Sequence, residues 1–230
     1  MMAVSIIIPL FNRYELTVQC VESIQFHSPE HEIILVDNGS TDETQYAKVA
    51  IRSKTNLGFA VACNQGARSA RNNHLVFLNN DTIVHQNWLA FTRHLNRSDV
   101  GCVGPKLIYP NGRIQSAGVG IDFEKAPGHE AWNMRSDWSS EPVEVAAVTG
   151  ACLGIRKDLF QKLGGFDPEY WNGYEDIDLC LAATAAGYSN LYDPLAKVTH
   201  LESQSGPERW TAVAANVDRL RAKWSPNDNH

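Results

Sequence analysis

Apolar and polar positions along the first hundred residues follow two rhythms. VSIII (4–8), EIILVD (32–37) and HLVFLN (74–79) are short β-branched runs with apolar side chains at consecutive positions. Between them, RYELTVQCVESIQF (13–26) and GFAVACNQGARSA (58–70) space their apolar residues as amphipathic helices do. Continuous apolar strands separated by such helices predict a parallel sheet covered on both faces. From about residue 105 the texture changes. KLIYPNGRIQSAGVGIDF predicts a hairpin around Pro110, Asn111 and Gly112. Residues 122–142, rich in His, Trp, Glu and Ser, predict a long loop, and VEVAAVTGACLGI (143–155) predicts a strand. EDIDLCLAATAAG (175–187) predicts a helix that stops at Gly187. The second half is expected to extend the first sheet as a mixed sheet.

The tail RWTAVAANVDRLRAKW aligns Trp210, Val213, Val217, Leu220 and Trp224 on one helical stripe, with Arg209, Arg219, Arg221 and Lys223 around it. Two readings fit this stripe: docking on the domain's own core, or peripheral contact with an anionic membrane.

The chain has 230 residues, enough for one large α/β domain, and no Pro- or Ser-rich linker divides it. We expect one domain over 1–230, with a nucleotide-binding half (1–105), an acceptor and catalytic half (106–205) and a C-terminal helix (206–230). A net charge of −6 argues against a nucleic-acid surface. The apolar runs are too short to span a membrane. MMAVSIIIPLFNR lacks the basic start of a signal peptide. The five cysteines are scattered, with no C-x-x-C pair, which suits a reducing compartment and excludes a cysteine-rich zinc site. The expected location is the cytoplasm, with the tail helix offering a peripheral position at the inner face of the membrane.

Parallel sheets bind ligands beyond the carboxyl ends of their strands. In this chain those ends carry Asn12, Asp37, Asn38 and the cluster Asn79, Asn80 and Asp81. No glycine-rich turn follows the first strand and no G-x-x-x-x-G-K-[ST] occurs, so Rossmann and P-loop sites are excluded. Pro9 stands where a haloacid-dehalogenase-type phosphatase would carry its nucleophilic Asp. There remains a site of strand-end carboxylates and amides. Asp37 can accept a hydrogen bond from an imide N–H of a base, although DNGSTDE also fits a turn and a helix N-cap. Asn79, Asn80 and Asp81 offer oxygens to Mg²⁺ or Mn²⁺, and such an ion would bridge a diphosphate.

VSIIIPLFNR, EIILVDNGSTDET, NLGFAVACNQGARSA, HLVFLNNDT, VTGACLGIRKDLFQKLGGFDPEYWNGYEDIDLCLAATAAGY and THLESQS occur in the order seen in family-two glycosyltransferases with the GT-A fold. The resemblance covers roughly residues 3–205 and is greatest to bacterial enzymes of surface-polysaccharide assembly, including rhamnosyltransferases. It implies a Rossmann-like, mostly parallel sheet and an inverting transfer from a UDP- or dTDP-sugar to a saccharide or lipid-linked acceptor. It further implies that Asp37 contacts the base and that Asp81 is the metal-binding Asp of the D-x-D motif, which here reads N-x-D with Asn79 first. His200 corresponds to a His that completes the metal site. Asp176 of the Glu175–Asp176 pair corresponds to the catalytic base. Pro9, Phe11, Asn12, Arg13, Asn56, Gly58, Asn64, Asn80, Gly150 and Ala151 are expected around the nucleotide sugar. Trp171 and Tyr174 are the favoured acceptor platform, ahead of Trp132 and Trp138. Asp178 is expected to be structural, and Arg68 and Arg71 to lie on a solvated helix face. Two competing classes are a sugar-1-phosphate nucleotidyltransferase, which needs a glycine-rich basic loop where Pro9–Arg13 stands, and a non-catalytic sugar-nucleotide-binding or scaffold domain.

Overall fold

The computed structural model of the chain describes residues 3–123, 127–129, 139–201 and 211–225. The first half runs β1 (Val4–Leu10), α1 (Tyr14–His27), β2 (Glu32–Asp37), a 3-10 turn (Glu43–Tyr46), β3 (Ile51–Arg52), α2 (Phe59–Ser69) and β4 (His74–Leu78). There follow β5 (Thr82–Val84), a 3-10 segment (Trp88–Asn96), β6 (Val100–Ile108), β7 (Ile114–Ser116), β8 (Val119–Gly120), β9 (Gly128–His129) and β10 (Val143–Val145). The chain then forms β11 (Cys152–Arg156), α3 (Lys157–Lys162), α4 (Glu175–Ala185), β12 (Ser189–His200) and α5 (Val213–Trp224).

Ten strands form one sheet in the order β10-β12-β6-β11-β4-β1-β2-β3, with β5 beside β12 and β7 beside β6. β1 pairs in parallel with β2 and β4, so these strands end at the same edge. β11 enters antiparallel between β4 and β6, and from there the sheet is mixed. Successive apolar residues point to opposite faces. Ile7, Val36 and Phe77 join one core with α2, α3 and α4, while Ile6, Ile8 and Val76 join the other with α1 and the 3-10 segment. That is why these strands read as unbroken apolar runs. Helix α2 lies tight on the sheet because Gly66 has no side chain: a Cβ there would meet Ile7 and, at 3.1 Å, Val36.

One expectation needs revision, and one strand went unread. The segment 143–155 is two strands, β10 at the sheet edge and β11 at its centre. Residues 146–151 leave the sheet between them, with Cys152 N–H returning to Thr149 O at 3.3 Å. The twelve-residue β12 had no counterpart in the pattern, because Asp193, Pro194 and Lys197 interrupt it, and the register shifts between Asp193 and Lys197. The hairpin at 110–112 forms, with Gly112 at φ 80°. Gly187 ends α4 at φ 88°, its N–H bonded to Thr184 O.

The stripe on α5 docks on the domain: Val217 and Leu220 are buried, and Trp224 packs against the core. The basic residues around it are engaged within the chain. Arg219 meets Glu169, Arg221 reaches the Phe123 carbonyl, and Lys223 meets Asp178. Trp210 and Arg209 lie outside the described residues. Among the described residues no helix is long and apolar enough to cross a membrane.

Candidate active site

The polar mouth begins where β1 and β2 end. β1 leaves the sheet, past half-buried Pro9 and Phe11, on two left-handed residues, Asn12 (φ 58°) and Arg13 (φ 61°). Asn12 Oδ1 accepts the N–H groups of Thr41 (2.8 Å) and Asp42 (3.3 Å), tying the β1 and β2 loops together. Asp37 is fully buried. Its Oδ2 lies 2.6 Å from Arg52 Nη1, and its Oδ1 accepts the Ser40 N–H at 2.9 Å. The carboxylate expected to face a base is thus covered, and the solvent-facing member of the pair is Arg52. Asn38 bonds Asn56, Leu57 and the Gly58 carbonyl, and so sets the approach to α2. One turn into α2, both ends of the Asn64 amide are bonded to the backbone of Phe166. Asn64 therefore fastens the 164–166 turn, not the mouth. Arg68 is exposed, and Arg71 pairs with Glu32 at the amino end of β2.

β4 ends in Asn79, Asn80 and Asp81, whose side chains diverge. Asn80 Nδ2 donates to Thr17 Oγ1 of α1 at 3.0 Å, away from its neighbours. Asp81 is followed by β5, which pairs antiparallel with the end of β12 so that Thr82 faces His200. This pairing seats His200 Nε2 at 3.1 Å from Asp81 Oδ1 and 3.3 Å from Asn79 Nδ2. The fold thus brings together Asn79, Asp81 and His200, separated by more than a hundred residues. The Nδ1 of His200 lies 2.7 Å from Gln115 Oε1. An amide oxygen only accepts, so this contact puts a proton on His200 Nδ1. In the neutral ring Nε2 then turns a lone pair toward Asp81 Oδ1 at 3.1 Å, an approach that a cation between them relieves. With the Asn79 amide turned to present its oxygen, the donor set is one carboxylate, one imidazole and one amide, a mixture that Mn²⁺ accepts.

The second cluster opens α4. The turn before it uses three positive-φ residues, Asn172 (50°), Gly173 (146°) and Tyr174 (76°). Asp176 Oδ2 accepts the Gly150 N–H at 2.6 Å and Oδ1 the Ile177 N–H at 2.8 Å. A Cβ on Gly150 would lie 3.2 Å from that of Asp176, so glycine lets the two backbones close up. The neighbouring Ala151 accepts the Asn79 N–H at 3.0 Å. Gly150 and Ala151 therefore hold the two clusters side by side. Glu175 is buried, its Oε2 accepting the Gly173 N–H at 2.7 Å. Burial, and then the charge of Asp176, push its acid up to about 8.

Asp178 points elsewhere: Tyr170 Oη, Lys223 Nζ and Trp224 Nε1 surround it. Trp171 is 38% exposed. A Cβ on Gly58 would meet its ring at 3.2 Å, so the indole lies close over Gly58. Tyr174 is half-buried at the start of α4, packed on the core. Trp132 and Trp138 lie outside the described residues. Sequence reasoning passed over Arg52, Gln115 and Asn216, none of which stands in a motif.

A family model described as glycosyl transferase family 2 matches residues 5–164. The chain is 31% identical over 253 residues to the O-antigen biosynthesis protein RfbC of Myxococcus xanthus, covering 98% of this chain and 20% of that protein. It is 32% identical over 259 residues to the uncharacterized protein y4gI of Sinorhizobium fredii, covering 98% of this chain. The chain spans 28% and 20% of the lengths of y4gI and RfbC. Among solved structures, GalNAc-T7 with UDP, GalNAc and Mn²⁺ superposes with a TM-score of 0.78 at 19% identity, covering 99% of this chain and 49% of that one. The mannosyltransferase PcManGT from Pyrobaculum calidifontis, in complex with GDP-Man and Mn²⁺, superposes with a TM-score of 0.71 at 17% identity, covering 98% and 65%. The fold is the GT-A fold of these enzymes.

Proposed function

Since the chain belongs to glycosyl transferase family 2, we propose that it moves a hexosyl or deoxyhexosyl unit from a UDP- or dTDP-sugar to an acceptor hydroxyl, with inversion. The observation that carries this reading is the pairing of two clusters through Gly150 and Ala151. Asn79, Asp81 and His200 stand on one side and Asp176 on the other. A diphosphate needs positive charge beside it, and a sugar acceptor needs a base within reach; a cation held by the first cluster would supply the one and Asp176 the other.

Asn79, Asp81 and His200 would hold a divalent ion, which supplies charge stabilisation to a diphosphate leaving group. Asp176 receives the proton of the acceptor hydroxyl as that oxygen attacks the anomeric carbon. Its two backbone hydrogen bonds fix the carboxylate and leave a lone pair on each oxygen for the incoming O–H. Burial biases Glu175 beside it toward the neutral acid, so the two adjacent carboxyls need not both carry charge. The inverting step needs no covalent sugar–enzyme intermediate, and hence no second carboxylate nucleophile. The exposed indole of Trp171 offers an acceptor sugar an apolar face. A role in surface-polysaccharide synthesis, on a saccharide or lipid-linked acceptor, is supported by the likeness to the O-antigen biosynthesis protein.

The test is release of nucleoside diphosphate from a panel of UDP-, dTDP- and GDP-sugars, with Mn²⁺ and then with excess EDTA. The expected result is release from one donor that EDTA abolishes and added Mn²⁺ restores. Full release in EDTA would remove the metal from the account. No release from any donor, with acceptors present, would leave a binding domain.

A further inference from the structure

We propose that Gln115 is a positioning residue that sets which nitrogen of His200 faces the metal cluster. The inference rests on the reading of Asn79, Asp81 and His200 as a metal site. Gln115 lies on β7, a strand that belongs to neither motif, and its side chain is 3% exposed. Its Oε1 is 2.7 Å from His200 Nδ1, while its buried Nε2 has no partner among the described residues. A buried amide with one end unsatisfied is unfavourable by itself. If it served packing alone, Leu or Met would fill the same space without that cost.

The bonded end accounts for the residue. By accepting the proton of Nδ1, Gln115 keeps the lone pair of Nε2 toward Asp81 Oδ1, 3.1 Å away. The opposite amide orientation would give Nε2 the proton, satisfy Asp81 with a hydrogen bond, and close the cluster to a metal. The Gln115 amide and the His200 tautomer are therefore two readings of one two-state element. In the orientation of the structure, the unpartnered Nε2 is what that element gives up to keep His200 open. Groups that orient metal-bound histidines in this way typically contribute about 10–100-fold to metal affinity.

The experiment titrates Mn²⁺, followed by its EPR signal, into wild-type protein, Gln115→Leu, Gln115→Glu and His200→Ala. In parallel, the ¹⁵N shifts of the His200 ring are read in wild type with diamagnetic Mg²⁺. The expected order is wild type near Gln115→Glu, which still accepts the Nδ1 proton, with Gln115→Leu about 10–100-fold weaker. The ring should show the Nδ1-protonated form. A merely structural role would lower thermal stability in both Gln115 variants alike and leave the Mn²⁺ affinity of the folded protein unchanged. Equal affinity for Gln115→Leu and wild type, or a ring protonated at Nε2, overturns the proposal. If Gln115→Leu does not fold, the wild-type ring shifts still decide it. If His200→Ala binds Mn²⁺ as wild type does, the metal-site reading fails first, a result distinct from failure of Gln115 alone.

Discussion

Glu175 and Asp176 are adjacent carboxyls given opposite work by their surroundings. Asp176 is half-buried and held by two backbone N–H groups. Glu175 is buried, with one such bond, and its acid is pushed up to about 8. The unfolded chain ionises Glu175 near 4.5. Between those two pH values the folded protein keeps a proton that the unfolded chain has released. The stability linked to that proton is therefore complete below about pH 4.5 and is lost as pH rises through about 8. Glu175→Gln has no proton to lose. Urea unfolding at pH 5 and pH 9 should show wild type losing roughly 1–4 kcal/mol relative to Glu175→Gln between the two conditions. Parallel behaviour would mean that Glu175 is solvated. Residues also show where the sequence was ambiguous. A strand-end Asp can face a ligand or fasten a turn, and Asp37 is seen fastening one, to Ser40 and Arg52. Arg52 lies fifteen positions on, so no local pattern announces the pair.

At the scale of elements, the C-terminal helix braces the turn that presents the carboxylates. Asn216 of α5 is buried and makes three hydrogen bonds to that turn, with the N–H and carbonyl of Trp171 and the carbonyl of Gly173. Two residues past Asp176, Asp178 anchors the end of the same helix through Lys223 and Trp224. Asn216→Ala would leave buried backbone groups without partners, at a cost of about 1–3 kcal/mol. It should also lower kcat more than it changes donor affinity, since the turn leads into Asp176 and not into the metal cluster. Asp218→Ala, exposed on the same helix, should stay within about 0.5 kcal/mol of wild type. Denaturation and steady-state rates on both variants check this. The apolar stripe of α5 was legible, but not what it docks against. A stripe specifies burial without specifying the partner, and core and membrane satisfy it alike.

For the whole molecule, sequence carried β1, β2, β4, α1, α2 and α4 because each is local. The strands are unbroken apolar runs and the helices carry apolar faces, and both patterns are visible in any window that contains them. What it could not carry is closure. β12 brings His200 back to Asp81, and the break between β10 and β11 frees Gly150 and Ala151 to bridge Asn79 and Asp176. Those junctions span tens of residues and are made largely by backbone atoms, which residue types do not report. The central claim is that this closure makes one site with two separable duties. The most direct measurement sets donor affinity, by calorimetry with Mn²⁺, beside turnover for Asp81→Ala and Asp176→Asn. We expect Asp81→Ala to lose donor affinity together with its metal dependence. Asp176→Asn should bind donor as wild type does, while kcat falls by about 10²–10⁴-fold. Normal turnover by Asp176→Asn, or unchanged metal-dependent donor binding by Asp81→Ala, would contradict the account.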